Sequence, residues 1–253
     1  MTKLIVQNLR VRKDDKVLVN DISFELAPGE LSVMLGPNGA GKTQALHHAI
    51  GLEAPESGLV TLDGEDTRYL DAMSRARALT YLPQTRPLAW PLIVRDLVAL
   101  GRFSHGMHLG KPSRNDTRAI EDAMEACAIT HLAGRKANTL SGGELARVHC
   151  ARAFAGQTRL LIADEPVAAL DPHHQFAIMD LFKAYVANGG GALVVLHNIA
   201  LAAKYADRLI WMKEGEIIAS GTPEDTLTAN RLLEVYAVKA IVNGRQVIIE
   251  GKA

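Results

Sequence analysis

Apolar positions near the start of the chain come in short runs interrupted by polar residues. LIVQNLRV (residues 4–11) and VLVNDISFEL (residues 17–26) flank the turn signal Asp14-Asp15, and this pattern predicts two strands. A third strand, LSVMLG, follows Pro28-Gly29. A glycine-rich loop then opens a helix expected from about Lys42 to Ile50, and Asp63-Gly64 marks another turn. From about residue 87 to 156 the period changes. Apolar residues such as Ile120, Met124 and Cys127 recur at helical spacing, which predicts a helical insertion. Strand character returns with LLIA (residues 160–163) and ALVVL (residues 192–196). Both are unbroken apolar runs of the kind a parallel sheet covered on both faces requires. A helix from about Pro172 to Asn188 separates them, stopped by Gly189-Gly190-Gly191. Asn243-Gly244, between AIV and QVII, predicts a terminal hairpin.

The expected architecture is therefore an α/β core with a helical subdomain inserted at about 87–156 and core segments at about 1–86 and 157–253. The 253 residues, 48% of them hydrophobic, suffice for one sizeable core. A formal net charge of zero argues against nucleic acid as the main partner, since phosphate backbones select basic surfaces. The two cysteines, Cys127 and Cys150, lack CxxC spacing, which fits a reducing compartment and small core residues. MTKLIVQNLRVRKDD does not read as a secretory signal, and no apolar run approaches the roughly 18 residues of a membrane span. Any membrane role is then expected to be peripheral.

Three motifs carry chemistry. Gly36-Pro37-Asn38-Gly39-Ala40-Gly41-Lys42-Thr43 matches GxxxxGK[ST], and it follows an expected strand and opens an expected helix. Glycines there let backbone N–H groups wrap a phosphate, the helix N-terminus adds partial positive charge, Lys42 reaches the β- and γ-phosphates, and the Thr43 hydroxyl can ligand Mg²⁺. Second, the apolar run from Leu160 ends in Asp164-Glu165, at the strand end where open α/β sheets bind ligands. Asp164 is placed to hold Mg²⁺ and Glu165 to polarise an attacking water. Third, Leu140-Ser141-Gly142-Gly143-Glu144 opens a helix with Ser141 as natural N-cap and bare amides behind it, a second anion-binding terminus.

LSGGE resembles the signature sequence of ABC ATPases, usually LSGGQ. Further family elements follow in order: Gln84 in YLPQ resembles the Q-loop, Ala169-Leu170-Asp171 the D-loop, and His197 the switch histidine. The resemblance covers nearly the whole chain. It implies a P-loop NTPase core of RecA-like type with an antiparallel β region and a helical ABC subdomain. It also implies ATP and Mg²⁺ as cofactors and a head-to-tail dimer in which Ser141, Gly142 and Gly143 complete the second copy's ATP site. Gln84 would sense the γ-phosphate and Mg²⁺, and His197 would contact the γ-phosphate and orient the water. Integral-membrane permease subunits are the implied partners, with a periplasmic or surface solute-binding protein acting indirectly. The implied location is the cytoplasmic face of the inner membrane. Departures are Glu144 for Gln, Val167-Ala168 for Thr-Ser, and Asn198 for Asp after the histidine; none removes a phosphate or metal ligand.

The stretch from Pro91 to Gly106 and the segment Glu234–Val238 resemble bacterial importers of iron–siderophore, haem and cobalamin. Importers of another metal or small solute stay open as an alternative. So do non-transport ABC ATPases, which usually carry two ATPase units or a long coiled coil; this chain has one unit and no sustained heptads. His105, Met107 and His108 read as a surface loop rather than a metal site. Family members commonly stack adenine on an aromatic residue near the first hairpin, yet no Tyr, Phe or Trp lies between Met1 and Phe24. Counting back places Arg12 there, whose planar guanidinium can lie flat on the base instead; a solvated turn residue is the open alternative.

Overall fold

The computed structural model describes residues 2–84, 92–108 and 110–253. The two alternating N-terminal runs form β1 (Leu4–Lys13) and β2 (Lys16–Leu26), an antiparallel hairpin that turns at Asp14-Asp15. β3 (Leu31–Leu35) is buried along its whole length and leads through the glycine-rich loop into α1 (Lys42–Ala49). β4 (Ser57–Leu62) and the short β5 (Glu65–Asp66) join the hairpin in an antiparallel sheet of order β2-β1-β4-β5. α2 (Ala72–Ala78), capped by the Asp71 carboxylate, precedes β6 (Leu79–Leu82).

The helical lobe contains α3 (Val94–Ala99), α4 (Arg114–Ala126) and α5 (Gly142–Ala155). Its expected start near residue 87, and Pro91 of the importer-like stretch, lie outside the described residues. Ile120, Met124 and Cys127 are buried, as their spacing predicts, and burial raises the Cys127 thiol pKa above its ordinary value. Arg102, itself buried, ties the lobe together: its Nε donates to Asp116 Oδ1 at 2.9 Å and its guanidinium donates to the Ala155 carbonyl at 3.0 Å. The Asp116 carboxyl is held below the usual carboxylate range, first by the Ser113 hydroxyl and then by Arg102. His105 Nε2 lies 2.9 Å from the Gly156 carbonyl oxygen and Met107 is buried, so two of this loop's three candidate metal ligands serve packing.

The chain then returns to the core with β7 (Leu160–Asp164), α6 (Pro172–Ala187), β8 (Gly191–Val195), α7 (Ile199–Tyr205), β9 (Arg208–Lys213) and β10 (Glu216–Gly221). The main sheet has the order β10-β9-β3-β8-β7-β6, with the last five strands parallel and β10 an antiparallel edge. Its unbroken apolar strands serve two cores. Leu161, Ala163 and Val194 face the core shared with the helical lobe and α6, while Leu160, Ile162 and Val195 face α1 and the antiparallel sheet. α8 (Pro223–Thr226), α9 (Ala229–Tyr236) and the hairpin of β11 (Val238–Asn243) and β12 (Gln246–Lys252) complete the chain. No described helix is long and apolar enough to cross a membrane.

Candidate functional site

The main sheet's order brings the motifs together. β3, β8, β7 and β6 are successive neighbours and run parallel, so their carboxyl ends share one edge. The glycine-rich loop leaves β3, Asp164 ends β7 with Glu165 just beyond, His197 follows β8, and Gln84 follows β6. This is the edge at which open α/β sheets present a crevice. The crevice is a cleft of about 690 Å³ lined by Lys16, Leu18, the loop from Asn38 to Thr43, Gln44, Gln84, Glu165 and His197.

Gly41 shows why the loop needs glycine. Its φ is +94°, and a Cβ there would stand 2.5 Å from the Leu18 carbonyl oxygen. The loop thus folds closely against β2 with its amides at the start of α1. Lys42 lies in this fold and donates to the Gly36 and Pro37 carbonyls at 2.7 and 3.0 Å. Burial lowers its pKa below the ordinary lysine value, against the opposing pull of Glu165 and Asp164. An ammonium hydrogen-bonded to neutral carbonyls inside a cleft is well prepared to exchange them for phosphate oxygens.

Asp164 is fully buried. Its Oδ2 accepts the Thr43 hydroxyl at 2.8 Å, while Oδ1 has no hydrogen-bond partner among the described residues. Burial raises its pKa; the Thr43 hydrogen bond opposes that shift and the neighbouring Glu165 charge adds to it. A buried carboxylate oxygen without a partner, beside a hydroxyl and a second carboxylate, is a hard-oxygen donor set that fits a small divalent cation such as Mg²⁺.

Glu165 sits at a φ of 48°, a costly conformation for a non-glycine residue that clusters at functional sites. Its carboxylate accepts Gln84 Nε2 at 2.6 Å through Oε2 and meets His197 Nε2 through Oε1. The three side chains therefore converge from three neighbouring strand ends, and a water against Glu165 would have a base and a second polar ring beside it.

Ser141, Gly142 and Gly143 are not among the cleft residues of their own chain. They open α5, where Ser141 and Glu144 form a reciprocal capping box: Ser141 N–H donates to Glu144 Oε2 at 2.8 Å and Glu144 N–H to Ser141 Oγ at 3.3 Å. The cap leaves the helix start exposed at Ser141 and Gly142, while Gly143 is buried.

The structure sets Arg12 away from the cleft. Arg12 pairs across the hairpin with Val17, and directly paired residues share a face, so alternation sets Arg12 on the face opposite Lys16 and Leu18. Its Nε donates to Glu56 at 2.9 Å, and it is not among the residues lining the cleft. Lys16 and Leu18 form this wall instead, and Lys13, paired with Lys16, is the β1 residue on their face. The alternation about Asp14-Asp15 was the signal that could have located them.

The ABC transporter family model matches residues 19–168. The hemin import ATP-binding protein HmuV of Pseudomonas aeruginosa is 37% identical over 244 residues, with 94% of each chain covered. That of Bordetella parapertussis is 38% identical over 248 residues, again covering 94% of each. Among solved structures, a metal-chelate type ABC transporter in an inward-facing conformation superposes with a TM-score of 0.82 at 23% identity, covering 98% of this chain and 96% of that one. A dimeric ATP-binding cassette bound to ADP and Pi gives 0.75 at 26% identity, covering 87% and 98%.

Proposed function

The chain belongs to the ABC transporter family as one of its ATP-binding, ATP-hydrolysing subunits, and from that premise we propose that it powers import of haem. The observation carrying the choice of solute is the likeness to hemin import ATP-binding proteins along 94% of the chain. Iron chelates and cobalamin are the neighbouring readings. The test uses the chain purified with its permease in lipid, with ATP hydrolysis measured while solute-binding protein is added. Stimulation is expected with the haem-loaded protein; stimulation only by a ferric siderophore or cobalamin complex would refute haem.

The proposed mechanism assigns each group in the cleft one task. The amides of the Gly36–Thr43 loop and the N-terminus of α1 hold the triphosphate, and Lys42 leaves the Gly36 and Pro37 carbonyls for the β- and γ-phosphates. Mg²⁺ would be held by the Thr43 hydroxyl and Asp164, with Gln84 completing the set, and would neutralise charge on the transferred phosphoryl group. Glu165 accepts the proton of the attacking water and His197 orients that water against the γ-phosphate. The helix start at Ser141 and Gly142 on a second copy, exposed in the single chain, supplies the donors missing on the far side of the γ-phosphate. ATP then bridges the copies in a head-to-tail twofold dimer. Gln84 follows β6, beside a surface groove of about 290 Å³ that includes Leu82, Leu100, Phe103 and Arg152. On this reading the permease docks in that groove, at the cytoplasmic face of the membrane, and changes at Gln84 reach it there.

Base selectivity is expected to be weak. On the β2 side the wall offers an aliphatic side chain and an ammonium, neither of which tells adenine from guanine, while charged contacts to the phosphates dominate. GTP should be hydrolysed within several-fold of the ATP rate. Arg12→Ala should leave the ATP dissociation constant unchanged, because its guanidinium is on Glu56. Nucleotide titration of both proteins checks this, and a strong ATP preference would reveal another group that reads the base.

A further inference from the structure

Gly143, the second glycine of the signature, is closed off by a residue 31 positions later. A Cβ built there would stand 1.9 Å from Cδ2 and 2.3 Å from Nε2 of His174, so the imidazole edge fills the space a side chain would need. His174 lies in the first turn of α6, directly behind Ala169-Leu170-Asp171. Its Nδ1 is 2.8 Å from Asp171 Oδ2, and its backbone N–H donates to Asp171 Oδ1 at 3.0 Å. The next residue, Gln175, donates from Nε2 to the Leu170 carbonyl at 3.0 Å. Leu170 in turn reaches the signature: its Cδ2 is the atom nearest to a Cβ at Gly142, at 3.8 Å. The segment so pinned contains Ala169 at a φ of 60°, a conformation that a non-glycine residue keeps only when its surroundings over-determine it.

We infer that His174 and Gln175 are positioning residues that lock the Ala169–Asp171 loop and the Ser141–Gly143 helix start of one chain into a single rigid unit. That unit is offered to the nucleotide of the second copy. The inference rests on the dimer reading above and adds to it a physical reason for glycine at 143. The amides of α5 and the side chain of Asp171 arrive together because the imidazole packs on one and hydrogen-bonds the other. Removing the ring leaves each chain's own cleft intact, since neither residue lines it. The defect therefore falls on the partner's ATP.

Paired chains with distinct tags test this. Lys42→Ala silences one phosphate loop, so each mixed dimer has one working site. When the Lys42→Ala chain also carries His174→Ala and faces a wild-type chain, the working loop meets the altered signature. ATP turnover should then fall about tenfold, as expected for misplacement by a fraction of an ångström. When Lys42→Ala faces a chain with only His174→Ala, the working loop meets an unaltered signature, and turnover should match that of Lys42→Ala with wild type. His174→Asn should restore the rate in the first arrangement, because its amide can reach Asp171 and still pack on Gly143. The dissociation constant of monomeric chains for ATP should be unchanged throughout. If the wild-type chain associates with ATP but the two arrangements lose equally, or neither loses, the inference is overturned while the dimer reading stands. If the wild-type chain shows no ATP-dependent association, the dimer reading fails and takes the inference with it.

Discussion

Glu165→Gln is expected to lower ATP turnover by about 10²- to 10³-fold, the range for loss of a general base, while MgATP still binds with wild-type affinity. The substitution keeps the side chain's size and its capacity to hydrogen-bond Gln84 and His197, so the site geometry should survive. Asp164, the residue proposed to hold the metal, is untouched. What disappears is a carboxylate able to accept a proton. With hydrolysis stopped and both phosphate-binding surfaces intact, the protein should accumulate as an ATP-bound dimer. Size-exclusion chromatography with MgATP, beside a steady-state phosphate assay, reads both effects. Near-normal hydrolysis by the purified variant would remove Glu165 from the role of base.

The second large effect is expected at Ser141. Ser141→Arg should bind ATP as the wild type does, because the residue is absent from its own chain's cleft, yet fail to dimerise with ATP. Arginine also cannot cap α5, a loss that typically costs about 1 kcal/mol, so a second variant separates folding from phosphate contact. Ser141→Asp retains an oxygen for the Glu144 amide but sets a negative charge at the helix start, and it too should prevent ATP-dependent association. Mixing Ser141→Arg with Lys42→Ala leaves one site with a working loop and a working signature, and some ATP-dependent association should return. Loss of ATP binding by the folded Ser141→Arg monomer would contradict action across the interface.

Much of the site was legible in the chain because its parts are local. A phosphate loop needs glycines, a lysine and a hydroxyl within eight positions between a strand and a helix, and Gly36 to Thr43 states all of that. An unbroken apolar run ending in Asp164-Glu165 and a serine before two glycines are equally short-range. So are the hairpin at Asp14-Asp15 and the strands around Val33, Ile162 and Val194, whose periods follow from burial on one face or two. α2 was not legible: none of its residues is buried, so no apolar period marks it.

Tertiary structure decided what meets what. Gln84 and Glu165 are 81 residues apart, and His197 lies 32 beyond Glu165; they converge because β6, β7 and β8 are parallel neighbours, an order no local pattern encodes. Arg12 marks the same boundary from the other side. A count along the chain placed it near the base, but strand alternation means a slip of one residue changes the face, and the register with β2 gave that face to Lys13, Lys16 and Leu18. The packing of His174 on Gly143 likewise belongs to the fold alone. The sequence determined the chemical groups, because chemistry needs particular side chains at short spacing. The sheet order and the packing of α6 on α5 determined their assembly, because contacts between distant segments depend on how the whole chain buries its apolar surface.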